Sequence, residues 1–211
     1  MKTLFSKLFI SLSFVLLLTA CAALKNNTTS KPILIEASID LVNINDDKVQ
    51  ITIAPTALQG EEILFYLPQI VPGTYEYSNF GRFVEDLKAF DKKGNPLTVT
   101  AVDENSWKIA NAKKLGKITY WVNDTFDGPG GEKIYPMGGT NFDSDKTHLL
   151  NLHSMIGYFD NIKESPYRLS IRSPKHLQAF TSLPAISKSD SLDVFNAERY
   201  FHIIDNPIMY S

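Results

Sequence analysis

The chain is almost without cysteine: Cys21 is the only one in 211 residues. No intrachain disulfide can form, so stability must come from an apolar core. Runs of lysine or arginine are also missing, and the formal charge is only −2. A phosphate backbone would find nothing to track, so nucleic acid is excluded as an expected partner. After residue 20 no apolar stretch approaches the ~20 residues that a membrane-spanning helix needs. The chain has no H-E-x-x-H, no G-x-S-x-G and no Gly-Lys-Ser/Thr phosphate loop, which removes the familiar zincin, serine-hydrolase and nucleotide-binding arrangements. His148, His153, His176 and His202 are the only histidines. The first two lie an odd number of residues apart, so on one strand they would face opposite ways. All four read as surface or partly packed side chains. Asp143-Ser144-Asp145 opens like a calcium loop, but His148 and Ser154 occupy the places that need glycine and glutamate. No catalytic set, metal site or cofactor is therefore expected within this chain.

What is present begins with a leader. Lys2 and Lys7 precede an apolar run from Leu8 to Leu18, which ends in Leu18-Thr19-Ala20-Cys21. The run is too short to span a bilayer, and its basic start and small-residue end describe a secretory signal. The sequence resembles a bacterial lipobox, which implies cleavage before Cys21 and lipid on that cysteine. Residues 1–20 are thus expected to be a lipoprotein signal peptide. Losing Lys2 and Lys7 takes the formal charge from −2 to −4. Residues 21–32 are small and polar, the composition of a flexible tether. The expected location is the cell envelope, lipid-anchored on the periplasmic face, with the membrane as a partner through Cys21.

Residues 33–211 read as one all-β domain, a β-sandwich-like set of antiparallel sheets with long loops. Ile33, Ile35, Ala37, Ile39 and Leu41 alternate with Glu36, Ser38 and Asp40, the period of a half-buried strand. Val49, Ile51 and Ile53 repeat the pattern after a polar cluster at residues 43–47, predicting an antiparallel hairpin with a longer loop. Further strand-like runs occur at 63–67, 83–90, 97–102, 106–109, 117–122 and 167–172. Weaker ones occur at 178–182 and 199–204. No long stretch shows helical spacing.

Two interruptions break the strand pattern. Residues 68–81 contain Pro72-Gly73, and residues 124–146 contain five glycines, Gly128, Gly130, Gly131, Gly138 and Gly139. A structureless loop of that length in a compact domain is functional, disordered or a misassigned element. Tyr66, Tyr75, Tyr77 and Phe80 gather around the first, with Trp107, Tyr120 and Trp121 downstream. Trp107 and Tyr120 are expected in the core; Tyr75 and Tyr77 are equally compatible with a shaped, exposed loop.

An ordered series of residues runs through this domain. Leu67-Pro68 is followed by Pro72-Gly73-Thr74-Tyr75, Phe83-Val84, Asp91 with Gly94, Trp107, Ile118 with Tyr120, and His148-Leu149 with Asn151. Pro166 and Pro174 bracket a strand, and Phe195-Asn196-Ala197, Tyr200 and Asp205-Asn206-Pro207 close the series. The order resembles the N-terminal domain of the glycyl-aminopeptidase-type zinc metallopeptidases, which carry a PDZ domain. The resemblance implies a β-rich, non-catalytic domain. It places zinc and the H-E-x-x-H helix in a following catalytic domain, and that domain and the PDZ domain become implied partners. The chain is accordingly expected to be a piece of a longer peptidase. Pro72, Gly73, Tyr75 and Tyr77 are candidates for a surface facing the peptide substrate or the next domain. If the chain is a piece of a longer peptidase, an apolar patch should lie exposed near Ile204 to Tyr210, where the next domain would meet it. The alternative is a stand-alone periplasmic lipoprotein that binds a peptide or glycan through its loop aromatics.

Overall fold

The structure is a computed structural model that describes residues 33–126, 134–143 and 146–211. The leader, Cys21, the tether and the glycines at 128–131 lie outside the described residues.

Alternation builds the first hairpin as expected. β1 (Ile35–Asn45) buries Ile35, Ala37, Ile39 and Leu41, and β2 (Lys48–Pro55) buries Val49, Ile51 and Ile53. The loop between them is shorter than the polar cluster implies. Asn45 pairs with Lys48, leaving only Asp46 and Asp47, at φ 49° and 56°. Two consecutive left-handed residues match the twist of a hairpin, and aspartate tolerates that region better than most residues. A register shift between Asp40 and Asn45 absorbs the extra length.

The chain continues through β3 (Glu62–Tyr66), β4 (Val84–Asp91), β5 (Pro96–Leu97), β6 (Val99–Asp103), β7 (Ser106–Ala110) and β8 (Leu115–Asn123). Next come β9 (Asn141–Asp143), β10 (Thr147–Leu150), β11 (Tyr158–Phe159) and β12 (Tyr167–Arg172). β13 (Ala179–Phe180), β14 (Ala185–Lys188), β15 (Leu192–Ala197) and β16 (Ile208–Tyr210) complete the set. The 199–204 run, read above as a weak strand, is instead a short α-helix at Tyr200–Ile204. Tyr200, Ile203 and Ile204 are its buried residues, and i, i+3, i+4 spacing is that of a helix face.

Three sheets form. The largest has the order β14-β15-β12-β1-β2-β8-β4-β5. The second is β13-β16-β10-β9 and the third β11-β3-β7-β6. Almost all pairings are antiparallel. β1 and β12 run parallel, with Ile35 opposite Tyr167 and Ile39 opposite Ile171. A parallel pair needs a long crossover, and the whole of β2 to β11 lies between these two strands.

The β3 sheet packs on the large sheet through Phe65, whose ring centroid lies 5.9 Å from that of Tyr120 on β8. Tyr120 is in the core as expected, while Trp107 is only half-buried beside Phe65. Burial of each large side chain contributes about 1.5–3 kcal/mol. Three core tyrosines converge on one short segment. Tyr120 donates to the Met155 carbonyl at 2.7 Å, Tyr200 to Ile156 at 2.8 Å and Tyr167 to Gly157 at 3.3 Å.

The expected exposed patch at the C-terminal end is not there. Ile204, Ile208 and Tyr210 are buried. β16 is sandwiched between β13 and β10, and the Tyr210 hydroxyl donates to buried Asp193 at 2.9 Å. Only alternate residues such as Met209 face outward, because a strand inside a sheet hides one face.

Candidate functional site

The first interruption is an ordered loop. Gln69 accepts backbone bonds from Ser78 at 2.7 Å and Asn79 at 3.0 Å, and Pro68 accepts from Phe80 at 3.2 Å. These bonds close the neck of the loop, and Leu67, Val71, Ser78 and Phe80 root it in the interior. Thr74 folds back on itself, with both its amide and its hydroxyl donating to the Val71 carbonyl, the hydroxyl at 2.8 Å. Beyond the neck, Gly81 is fitted closely: a Cβ there would lie 1.9 Å from the Glu104 carbonyl oxygen, and the Gly81 amide donates to Asn105 Oδ1 at 2.9 Å.

The loop tip points outward. Gly73 adopts φ 94°, and Tyr75 adopts φ 58°, a left-handed conformation that costs a non-glycine residue roughly 1–2 kcal/mol. Tyr75 is 99% exposed and Tyr77 70%. Pro72 turns the other way, onto a groove whose walls do not include Gly73, Tyr75 or Tyr77. The four residues singled out above thus share one loop but divide between two surfaces.

The groove encloses about 410 Å³. One side comes from β3 and the start of the loop, with Tyr66, Leu67, Pro68, Ile70 and Pro72. The other comes from Tyr158, Lys163 and the short helix with Tyr200, Phe201 and Ile204; Asp103 and His153 complete it. Tyr66 and Tyr158 stack at 5.3 Å with 21° between the rings, and Lys163 Nζ lies 4.0 Å above the Tyr158 ring centre. A cation over an aromatic face is held by the ring quadrupole. A second depression of about 480 Å³ lies beneath Ile33, Leu58, Ile63 and Ile162, with Lys108 and Glu62 paired at 3.5 Å beside it.

Behind the groove sits a buried polar node. Thr140 and Ser154 hydroxyls meet at 2.6 Å, and both bond to the backbone of Asn151. Thr125 exchanges bonds with the Thr140 backbone, its hydroxyl accepting from the amide at 2.7 Å. Asp124 is buried and accepts from the Phe126 amide at 2.6 Å and the Phe142 amide at 2.7 Å. A network satisfied in this way rigidifies the turn it ties together, here the Gly138-Gly139-Thr140 end of the glycine-rich stretch. The node also orients His153. Asn151 Nδ2 donates to the Met137 carbonyl at 2.6 Å, so Asn151 Oδ1 is the acceptor for the His153 amide at 3.2 Å and for Nδ1 at 3.1 Å. The ring proton therefore sits on Nδ1, and Nε2 is a bare acceptor. Nε2 is buried without a hydrogen-bond partner. Burial pushes the His153 pKa below its usual value against the opposing pull of Asp205, keeping the ring neutral.

His148 and His153 are both buried, which corrects the reading of these histidines as surface or partly packed. His148 occupies a buried position of β10 and His153 a tight turn, so strand alternation does not relate them. Among the described residues no three histidine, cysteine or acidic side chains are grouped so as to hold a metal ion. Sequence reasoning noted Tyr66 but missed Tyr158, Lys163 and His153 as groove residues. No local signal marks them, because segments around 66–72, 103, 153–163 and 200–204 meet only in the fold.

The fold that these elements define is an all-β domain of three sheets with an ordered aromatic loop. The chain belongs to the Peptidase M61 N-terminal domain family, whose pattern matches residues 36–211. Among solved structures it is similar to an aminopeptidase N family protein from Idiomarina loihiensis, with a TM-score of 0.72 and 19% identity. That match covers 84% of this chain and 29% of the Idiomarina protein, so this chain spans less than a third of its relative's length. A weaker likeness to yeast LTA4 hydrolase has a TM-score of 0.47 and 13% identity over 85% of this chain and 28% of that one; at that score it adds nothing to the fold assignment. No curated protein matches the chain.

Proposed function

We propose that this chain is the non-catalytic N-terminal domain of a lipid-anchored zinc aminopeptidase of the PDZ-containing type. In this reading it supports the catalytic domain and walls one side of its substrate cleft. Family membership over residues 36–211 is the observation that carries the reading. The described residues offer no set of zinc ligands, so zinc and peptide-bond cleavage are assigned to the rest of the peptidase and no catalytic step to these residues. Ligand sites favour domain interfaces, and the closed loop that holds Tyr75 and Tyr77 outward suits a wall of that kind. Lipid on Cys21 would hold the assembly to the periplasmic face of the membrane.

Two measurements test the parts separately. Palmitate labelling of cells should mark the native protein and lose the mark in Cys21→Ser; an unlabelled wild-type chain removes the anchor. In the whole peptidase, Tyr75→Ala and Tyr77→Ala should raise KM for peptides with little change in kcat. A peptidase indifferent to both changes has a cleft wall elsewhere.

A further inference from the structure

The groove beside Pro72 combines features that the accessory-domain reading does not use. Its walls are aromatic, with the stacked Tyr66–Tyr158 pair and the half-exposed Phe201. Lys163 stands at this aromatic surface. Among the described residues no carboxylate pairs with its ammonium; adjacent Glu164 turns instead to Arg199 at 3.5 Å. A half-buried cation without an anion is a site for one, because charge-assisted bonds to a carboxylate are roughly twice as strong as neutral ones. His153 adds a second, independent mark. Its Nε2 is a neutral acceptor buried in the groove wall with no donor in reach. An acceptor stranded in this way is costly until a donor arrives.

We propose that this groove binds the C-terminal end of a peptide. The terminal carboxylate meets Lys163, and the last side chain, apolar or aromatic, lies against the Tyr66–Tyr158 walls. A volume of about 410 Å³ suits one or two residues. Asp103 lies on the same groove with one oxygen occupied by the Asn105 amide at 2.8 Å. Its charge opposes a second anion, so acidic side chains near the peptide's end are disfavoured. The inference stands apart from the peptidase reading, since it concerns binding by this chain alone.

The test is calorimetric titration of the purified whole chain in detergent with three probes: Ala-Ala-Phe, the same tripeptide as its C-terminal amide, and decanoate. The free acid should bind at least about tenfold more tightly than the amide, the size expected of one charge-assisted contact. Lys163→Met should bring the acid down to the level of the amide, and Asp103→Asn should tighten the acid a few-fold. The Lys163 ammonium rests on the Tyr158 ring and its backbone carbonyl accepts from the Tyr200 amide at 2.9 Å; methionine keeps the carbonyl and the apolar stem, so a melting temperature within a few degrees of wild type confirms that the variant is folded. Equal binding of acid and amide overturns the proposal. So does no binding of either at 10 mM (about the weakest affinity of interest), and so does decanoate binding more tightly than the peptide, which would make the groove a fatty-acid site. Failure here leaves the family assignment and the Cys21 labelling result intact, and the converse also holds.

Discussion

Removing one hydroxyl at a time from Tyr120, Tyr200 and Tyr167 probes what ties the large sheet and the short helix to the segment at residues 155–157. The hydroxyls come from β8, the short helix and β12, and they meet three successive carbonyls at residues 155, 156 and 157. Tyrosine to phenylalanine keeps the ring and its packing. It leaves a buried carbonyl without that donor, which costs about 1–3 kcal/mol. The bonds of Tyr120 and Tyr200, at 2.7 and 2.8 Å, are short and buried. Tyr120→Phe and Tyr200→Phe should each lose about 1–2 kcal/mol. The Tyr167 bond is 3.3 Å, beyond the usual range, and Tyr167→Phe should lose less than about 1 kcal/mol. For a domain of this size each kcal/mol is roughly 2–4 °C in Tm. Because the three carbonyls are consecutive, one loosened contact eases the next, and the triple variant should cost less than the sum of the three. Urea unfolding with unchanged m-value is the assay. If Tyr120→Phe and Tyr200→Phe both stay within about 0.5 kcal/mol of wild type, the scatter of ordinary surface changes, the segment is held by packing alone and the reasoning fails.

The same tyrosines predict alkaline sensitivity. Burial raises the pKa of Tyr120, Tyr167 and Tyr200, and of Tyr210, which Asp193 raises further. A folded pKa above the unfolded value of 10.0 leaves stability intact below pH 10 and erodes it above; a stability curve flat to pH 11 would contradict this. His153 predicts the acid limb. Burial lowers its pKa from 6.5, so the unfolded chain takes the proton first. Stability present above pH 6.5 should then fall on acidification, by up to about 1.4 kcal/mol per pH unit, and His153→Gln should flatten that limb in pH-dependent melts. Gly81→Ala puts a methyl 1.9 Å from the Glu104 carbonyl, so it should cost more than about 3 kcal/mol or prevent folding; wild-type solubility and Tm would refute the close fit. Tyr75→Asn relieves a left-handed tyrosine and should gain up to about 1 kcal/mol in urea unfolding, whereas a loss would mean that the ring is anchored after all.

The strands that sequence reasoning found are those with one wet face. β1, β2, β8 and β12 alternate cleanly, because a sheet covered on one side forces period two on the residues. The strands it missed, β9, β10, β11, β14, β15 and β16, are two to six residues long, too short for a period to emerge, or lie inside stretches rich in turn residues. The helix at Tyr200–Ile204 was missed for the same reason, since five residues cannot separate a period of two from one of 3.6. The outward loop at Pro72–Tyr77 was legible because Pro-Gly is a local steric statement, needing no partner elsewhere.

By itself, the sequence determined the all-β class, the faces of the main strands, the place of the first long loop and the family resemblance. The first three depend on residues near one another in the chain, and the resemblance depends on the order of residues along it, which needs no contact between them. Tertiary structure alone decided which histidines are buried, that β16 is hidden inside a sheet, and that Tyr66, Tyr158, Lys163 and His153 line one groove. It also decided that three tyrosine hydroxyls meet three consecutive carbonyls. Contacts of this kind join positions tens of residues apart, and they are set by sheet order and register. No window of local sequence holds that information.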